Sequence, residues 1–200
     1  MRKFLDACVI IRLVNIGLFE RSIEAYEGEL YVARSAFEEV CFDPAKSHLK
    51  AAVDSGRIKV FEFSEIELRE VAKQMDKHGI KIHDDDIPNA IGALELSAEL
   101  VTDDYVLFEA VHKWRDIQNR SLFVLNTRGF LFELFLAGGL DFMEFVQGVL
   151  ELFRTAELPN ILHQVSGKII TISDAERLFG EYESYLLKAL VLRGTPAGAK

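Results

Sequence analysis

Acidic side chains stand at both ends of one short stretch, residues 83 to 104, which reads HDDDIPNAIGALELSAELVTDD. Its apolar positions recur every three or four residues, the period of a helix with one buried face, at Ile87, Ala90, Ile91 and Leu94. Asp86 falls in the first turn of this helix, and Asp104 follows a short apolar segment that reads as a strand. Groups at the carboxyl ends of strands carry the chemistry of open α/β sheets.

Two further acidic residues lie earlier in the chain. Asp6 follows an apolar strand and precedes an apolar helix, where a charge is costly to bury unless it is paired, solvated or bound to a cation. Glu39 lies in a helix that opens at Ser35, and its neighbour Glu38 fits a capping box with that serine. We therefore expect Glu39 to be the functional residue of the pair, with a surface-facing Glu39 as the alternative.

These four carboxylates are expected to meet at one edge of a parallel sheet. Without matching basic residues they would repel one another and titrate at raised pH unless a cation were present. Hard oxygen ligands select Mg²⁺ or Mn²⁺, and such ions activate water and stabilise an in-line attack on a phosphodiester. The pattern predicts a metal-dependent nuclease.

A purely structural interpretation competes with this one. The triplet Asp84 to Asp86 is typical of a helix cap, and the pair Asp103 and Asp104 is typical of a turn. The presence of the other acidic residues at corresponding positions favours the functional interpretation.

Strands separated by helices predict a three-layer α/β/α sandwich around a central parallel sheet. The expected strands are residues 3–5, 30–33, 57–63, 99–102 and 122–125. The third of these alternates charged and apolar residues, as an edge strand does, and the last is apolar throughout, as a buried strand is.

Composition limits the function classes. The chain has 200 residues and a formal charge of -9, which excludes nucleic-acid binding by bulk electrostatic attraction. Cys8 and Cys41 are too few for a disulfide scaffold or a zinc site, so a reducing cytoplasm is expected. Acidic residues interrupt the most apolar region, residues 129–153, and the start of the chain lacks a signal-peptide core, so neither a membrane span nor secretion is expected.

Gly138 and Gly139 mark the best candidate boundary. We expect a nuclease-like domain over residues 1–137, a mainly helical C-terminal appendage over 138–193 and a disordered tail over 194–200. The appendage contains a predicted helix at 140–153, a strand at 168–172 and a helix at 173–192. Because the first helix is apolar on a broad face, it should bury against the domain or against a second subunit, and a homodimer is expected.

Four pieces of the sequence occur in the order FLDACVII, YVARSAFEEV, DDDIPNAIGALELSAELVTDD and LFVLNTRG. Together they resemble the PIN-domain ribonucleases over about residues 3 to 128. The resemblance implies a parallel α/β/α sandwich, a Mg²⁺ or Mn²⁺ site built from three or four acidic residues, and single-stranded RNA as the substrate.

The resemblance also implies roles for individual residues. Asp6 and Asp86 would be the principal metal ligands, Asp104 would complete the site directly or through water, and Glu39 would bind the metal or position the attacking water. Thr102 matches the hydroxyl residue of the family's motif. Glu38 stays open as the alternative to Glu39, and the register within Asp84 to Asp86 is open.

Basic residues supply few candidates for phosphate contacts, and these are Arg34, Lys113, Arg120 and Arg128. Trp114 lies among basic residues, which allows a stacked base, but a half-buried anchor is the favoured interpretation.

The implied biological roles are a toxin held by an antitoxin and a nuclease of RNA processing, and the acidic charge with the long appendage favours the second. Two other classes stay open. A phosphoacceptor receiver domain expects an acidic pair after its first strand, where this chain has Asp6. A catalytically silent PIN-like module would use the helix at 140–153 for interaction.

Overall fold

A parallel sheet is the centre of the computed structural model, which describes residues 1–120 and 122–152. Within those residues the sheet contains five strands, β1 (Arg2–Leu5), β2 (Glu29–Ala33), β3 (Ile58–Phe61), β4 (Glu99–Val101) and β5 (Val124–Leu125). Their spatial order is β3-β2-β1-β4-β5, and every neighbouring pair is parallel. The predicted parallel sheet is confirmed, with β3 at an edge as its alternating pattern indicates.

The strand order creates a reversal in the winding of the chain. From β1 the chain moves outward to β2 and β3, and it then returns to place β4 and β5 on the other side of β1. The carboxyl ends of β1 and β4 are therefore neighbours at a topological switch point, where open α/β sheets form a crevice. Leu5 pairs in register with Val101, so Asp6 and Thr102 leave the sheet side by side.

Helices cover both faces of the sheet. In the described part of the chain they are α1 (Ala7–Asn15), α2 (Phe19–Ala25), α3 (Arg34–Glu39), α4 (Ala45–Asp54), α5 (Glu65–Lys77), α6 (Ile87–Glu95), α7 (Tyr105–Gln118), α8 (Thr127–Leu136) and α9 (Phe142–Leu152). Helices α1, α2, α4 and α8 contact one another in one layer, and α5, α6 and α7 form the other. The predicted three-layer sandwich is confirmed.

Phe4 and Lys3 show how β1 serves both layers, because successive side chains of a strand point to opposite faces. Phe4 is completely buried, and its ring lies so close to Gly92 of α6 that a Cβ atom there would stand 2.4 Å from it. Lys3 is equally buried. Its Nζ donates to Glu99 of β4 and, at 2.6 Å, to Glu133 of α8.

The carboxylates around Lys3 make its burial tolerable, since a buried charge needs a partner. The same ammonium group lies 5.7 Å from the ring centre of Tyr26 and 5.9 Å from that of Phe130. Lys3 therefore ties β1 to β4 and to α8 in the interior.

Helix α8 begins at Thr127, because the Asn126 side chain accepts a hydrogen bond from Gly129 N at 2.8 Å and caps the helix. The expectation of a buried last strand over residues 122–125 is wrong. The segment 122–125 yields a strand of two residues, β5, which is only partly buried. It pairs with β4 alone and forms the sheet edge.

The apolar helix predicted at 140–153 is observed as α9, and its burial against the domain is confirmed. Phe145, Val149 and Leu152 are buried, and Phe145 stacks on Phe135 of α8 at 5.2 Å between ring centres. Residues Met1–Leu152 cluster as one compact unit. The predicted boundary after residue 137 stays a prediction.

The predicted strand at 168–172, the helix at 173–192 and the tail at 194–200 lie outside the described residues. Among the helices that the structure does describe, none combines the length and the apolar character needed to cross a membrane.

The contact between Phe4 and Gly92 can be tested with a matched pair of glycine variants. We expect Gly92→Ala to destabilise the protein by about 1 to 3 kcal/mol, because the new methyl group overpacks the core against a ring that has no room to move. Gly129→Ala should be neutral or stabilising by up to about 1 kcal/mol, since its Cβ would meet neighbours at 3.4 Å and alanine favours a helix. Thermal unfolding followed by circular dichroism compares them, and equal effects would contradict the packing described.

A second matched pair tests the buried lysine. Lys3→Met should lower the free energy of unfolding by about 3 kcal/mol, because it leaves Glu99 and Glu133 close together without their shared cation. Lys113→Met removes a surface pair with Glu109 and should cost less than about 1 kcal/mol. The expected fall in Tm for Lys3→Met is about 6 to 12 °C. A fall no larger than that of Lys113→Met would show that the buried network is energetically unimportant.

Candidate active site

Asp6 stands at the switch point of the sheet, between the end of β1 and the start of α1. Its backbone N–H donates to Val101 O of β4 at 3.0 Å, which continues the pairing of the two strands by one residue. Its Oδ1 accepts a hydrogen bond from Ala7 N at 2.7 Å and caps α1. The residue is only 4% exposed.

Three side chains fix the orientation of the Asp6 carboxylate. Thr102 Oγ1 donates to Oδ2 at 2.6 Å, Cys8 Sγ donates to the same oxygen at 3.0 Å, and Asn89 Nδ2 donates to Oδ1 at 3.1 Å. Hydrogen bonds to an ionised oxygen compensate for the water that burial removes. Asp6 is therefore a rigid, buried anion.

Asn89, beside this anion, has one side-chain polar atom that makes no hydrogen bond in the described structure. The residue is 1% exposed, and its Oδ1 is buried without a hydrogen-bond partner in the described structure. Buried polar atoms in native proteins nearly always have a partner, which can be a water or an ion. An oxygen next to Asp6 is thus available to an electropositive ligand.

Asp86 lies in a single 3₁₀ turn, Asp84–Asp86, that leads into α6. It occupies the cap position, but its side chain makes no capping hydrogen bond, and Pro88 lies in the first turn as the sequence indicates. Burial, and next the charges of Asp6, Asp104 and Glu39 in that order, raise the pKa of Asp86 to about 6. The structural explanation of this residue as a cap is not supported.

Glu39 lies at the end of α3 in the same electrostatic field. Burial raises the pKa of Glu39, and Asp6, Asp85 and Asp104 add to the rise. Since two of these are the sequence-predicted acids, the chain's fold brings Glu39 towards them.

The capping box expected at the start of α3 is wrong. The helix is capped by Ala33 without a side-chain hydrogen bond, and Ser35 Oγ instead donates to Asp85 O at 2.9 Å. Ser35 therefore joins α3 to the acidic turn, and this contact positions Glu39 and Asp86 on neighbouring segments.

Asp103 and Asp104 make different contacts although they are adjacent in the sequence. Asp103 pairs with Arg12 Nη1 at 2.7 Å and accepts from Thr127 N at 2.9 Å, so it joins α1 to α8. Asp104 is exposed and caps α7 through Oδ1 alone, which accepts from the N–H groups of Val106 and Leu107 at 2.6 and 3.2 Å. Capping and participation in the acidic cluster are compatible for Asp104.

Burial, and then charges that include those of Asp6 and Asp104, raise the pKa of Glu39 and that of Asp86, so these two carboxyls lie in the electrostatic field of Asp6 and Asp104. The side chain of His83, which is exposed, acts in the opposite direction and lowers both pKa values. Across residues 1–120 and 122–152, no three or more acidic, histidine or cysteine side chains are gathered into a ready-made metal shell. The donor chemistry still fits a hard divalent cation that keeps several of its waters, as Mg²⁺ does.

Two of the four basic candidates, and the tryptophan, make contacts within the fold. Arg34 pairs with Glu62, and Arg120 Nη1 donates to Leu94 O at 3.2 Å. Trp114 is 4% exposed and packs near His78, which agrees with its interpretation as an anchor and leaves no face for a base.

Sequence reasoning missed Asn89 and Cys8. Asn89 could have been found from the sequence, because it is the one amide in the apolar helix after Asp86. It lies three residues beyond Asp86 and therefore on the same face of the helix. Cys8 gave no signal, because its contact with Asp6 depends on the turn between β1 and α1.

No protein-family model matches the sequence. A search of curated proteins found no match either.

Among solved structures, the fold is similar to VapBC2 from Rickettsia felis bound to a DNA fragment from its promoter, with 16% identity, a TM-score of 0.45, and coverage of 63% of this chain and 98% of that one. PAE2754 from Pyrobaculum aerophilum is 19% identical, with a TM-score of 0.48, over 67% of this chain and 89% of that one. VapBC-1 from nontypeable Haemophilus influenzae is 20% identical, with a TM-score of 0.41, over 61% and 96%. These are likenesses of fold at low sequence identity.

The raised pKa of Asp86 gives a pH-dependent expectation. A carboxyl whose pKa is higher in the folded than in the unfolded protein makes a stabilising contribution that is present at low pH and is lost as pH rises from about 4 to about 6. Asp86→Asn abolishes that loss. The free energy of unfolding of Asp86→Asn should therefore exceed that of the wild type by an amount that grows through this range and reaches about 1 kcal/mol at pH 7.5. This figure is reduced for the solvent screening of a half-exposed group.

Thermal unfolding of the metal-free protein at a series of pH values measures this advantage. Asp84→Asn, at an exposed position in the same turn, is the control and should show no growing advantage. Addition of Mn²⁺ should raise the Tm of the wild type more than that of Asp86→Asn, because a ligand stabilises the state that binds it. An advantage of Asp86→Asn that does not change with pH would contradict the electrostatic description.

Proposed function

We propose that this chain is a metal-dependent ribonuclease that hydrolyses phosphodiester bonds of single-stranded RNA. The observation that supports the proposal is that burial, and then charges that include those of Asp6 and Asp104, raise the pKa of Glu39 and that of Asp86. Like charges held close together in a crevice lower the stability of the fold, and a bound divalent cation would offset their repulsion.

Asp6 and Asp86 are the proposed principal ligands of Mg²⁺ or Mn²⁺, with Asp104 completing the site directly or through water. The buried Oδ1 of Asn89 beside Asp6 is a further oxygen that suits a water of the ion's shell. When bound, the ion supplies a water of lowered pKa and stabilises the negative charge that develops on the phosphate oxygens.

Glu39 is the proposed base that positions the attacking water and takes its proton. The raised pKa of Glu39 moves this carboxylate towards the operating pH, which improves a general base. Its exposed position at the end of α3 leaves it accessible to water.

Asp6 depends on its neighbours for orientation. Thr102, Asn89 and Cys8 each donate to it, so the carboxylate cannot rotate freely. Groups that orient a ligand in this way support affinity for the metal. The same chemistry serves both proposed roles, a toxin held by an antitoxin and a nuclease of RNA processing in the reducing cytoplasm.

The sheet topology disfavours the receiver-domain alternative. A receiver has the strand order 2-1-3-4-5, whereas this sheet has the order β3-β2-β1-β4-β5. The strand that lies next to β1 at the candidate site is therefore β4. Asp103, which follows β4, is engaged with Arg12 and Thr127.

A cleavage assay on a labelled single-stranded RNA with Mn²⁺ tests the proposal. We expect the wild type to cleave, and Asp6→Asn and Asp86→Asn each to lose about 100-fold or more in rate, because each removes charge at the reacting centre. Removal of the metal with EDTA should abolish cleavage, and added Mn²⁺ should restore it.

Matched neighbours control for general effects of the substitutions. Glu39→Gln should impair cleavage while Glu38→Gln leaves it near the wild-type rate, and Asp84→Asn should likewise be active. Full activity of Asp6→Asn would reject the assignment. No cleavage by the correctly folded wild type would favour the silent interaction module, and phosphate transfer to Asp6 from a small phosphodonor would favour the receiver.

A further inference from the structure

Helix α7 carries a row of aromatic rings on its surface. Tyr105 is 70% exposed and Phe108 is 37% exposed, and their rings are stacked with centres 6.4 Å apart and planes 15° apart. His112 continues the row, with its ring centre 4.4 Å from that of Phe108. Residues three and four positions apart lie on one face of a helix, so Tyr105, Phe108 and His112 form a single ring stripe.

The ring stripe is not needed to hold the helix in place. The core-facing side of α7 is occupied by other residues, Leu107, Ala110, Val111 and Trp114, all of which are buried. Tyr105 OH donates to Glu109 Oε1 at 2.7 Å, which restrains the tyrosine ring in its stacked position. Two parallel rings are thus presented to solvent in a fixed arrangement.

The stripe begins at the acidic cluster. Tyr105 directly follows Asp104, and the Asp104 side chain fixes the start of the helix through Val106 N and Leu107 N. A helix rises 1.5 Å per residue, so the stripe extends roughly 10 Å from the cluster. Burial, and next the charge of Arg115, lowers the pKa of His112, so this ring is neutral near pH 7.

We propose that the ring stripe of α7 stacks unpaired bases of the RNA strand next to the bond that is cleaved; its position relative to the reaction rests on the proposed function. The formal charge of -9 and the acidic cluster repel phosphates, so attraction to the backbone cannot supply the affinity. Base–aromatic stacking needs no protein charge and requires unpaired bases. The stripe thereby explains how an acidic protein selects single-stranded RNA.

The surroundings of the stripe favour a nucleobase over a second protein. Glu109 and Lys113 lie along it and pair at 3.5 Å, so charged groups border the rings. A stable protein interface needs about 800 Å² from each partner and a core depleted of charge. A narrow pair of parallel rings suits one or two stacked bases.

Fluorescence anisotropy with a labelled 12-nucleotide oligoadenylate, in EDTA so that cleavage does not interfere, measures stacking directly. The double variant Tyr105→Leu with Phe108→Leu keeps apolar side chains and removes both rings. We expect its Kd to be about 5- to 100-fold higher than that of the wild type. Tyr105→Phe with Phe108→Trp should retain wild-type affinity, and Ile117→Ala, an exposed apolar position elsewhere on the helix, should not change it.

An abasic oligomer of the same length separates stacking from other contacts. It should bind the wild type as weakly as the double variant binds oligoadenylate, and the double variant should not distinguish the two oligomers. In the Mn²⁺ cleavage assay, the double variant should show a raised KM with a kcat close to that of the wild type.

The outcomes for the stripe and for the nuclease proposal differ. Base-dependent binding that the double variant loses, in a wild type that does not cleave, would uphold the stripe and overturn the nuclease. Equal binding of oligoadenylate by the wild type and the double variant, or no measurable binding by the wild type, would overturn the stripe. A change of the double variant from dimer to monomer in sedimentation, with RNA binding unchanged, would also overturn it and assign the surface to a second copy of the chain.

Discussion

The buried negative charge of Asp6 is the constraint on which the rest of the site depends. The reversal of winding between β1 and β4 creates the only kind of place in an open sheet where such a charge can sit at a crevice and still be surrounded by donors. Thr102 comes from β4's end, Asn89 from α6 and Cys8 from α1, so three different elements meet at this carboxylate. Displacement of any of these elements would leave an uncompensated charge in the interior.

The distribution of positive charge follows from the same constraint. Lys3 is engaged by Glu99 and Glu133, and Arg12 is engaged by Asp103. These pairs stabilise the sandwich, whereas burial and next the charge of Asp6 raise the pKa of Asp86 and that of Glu39. Local loss of stability at a functional cluster, compensated by pairing elsewhere, is the expected relation between stability and activity in a site of this kind.

Helix α7 links the interior to the surface. Its buried side contributes Trp114 and Val111 to the core, its first residue follows the carboxylate of Asp104, and its exposed side presents Tyr105 and Phe108. An acidic crevice attracts cations and repels the phosphates of its proposed substrate. Neutral rings placed beside it resolve this conflict, because stacking gains affinity without adding positive charge that would compete with the metal.

The sequence by itself determined the features that depend on neighbouring residues. The period of the apolar residues after Asp86 and the proline in the first turn of α6 are local patterns, and both are observed. The parallel sheet and the candidate acids followed from the same kind of reasoning, since a strand that ends in an aspartate before a helix is visible in a few residues.

Tertiary structure alone decided which members of the acidic pairs share the crevice. Burial and next the charge of Asp6 raise the pKa of Glu39, Asp103 is engaged by Arg12 while Asp104 caps α7, and Asn89 is found beside Asp6. Helix α8 was missed because its cap, Asn126, resembles a turn residue. The physical reason is common to all of these: an electrostatic interaction or a burial depends on distances between residues that are far apart in the chain, and local periodicity contains no information about those distances.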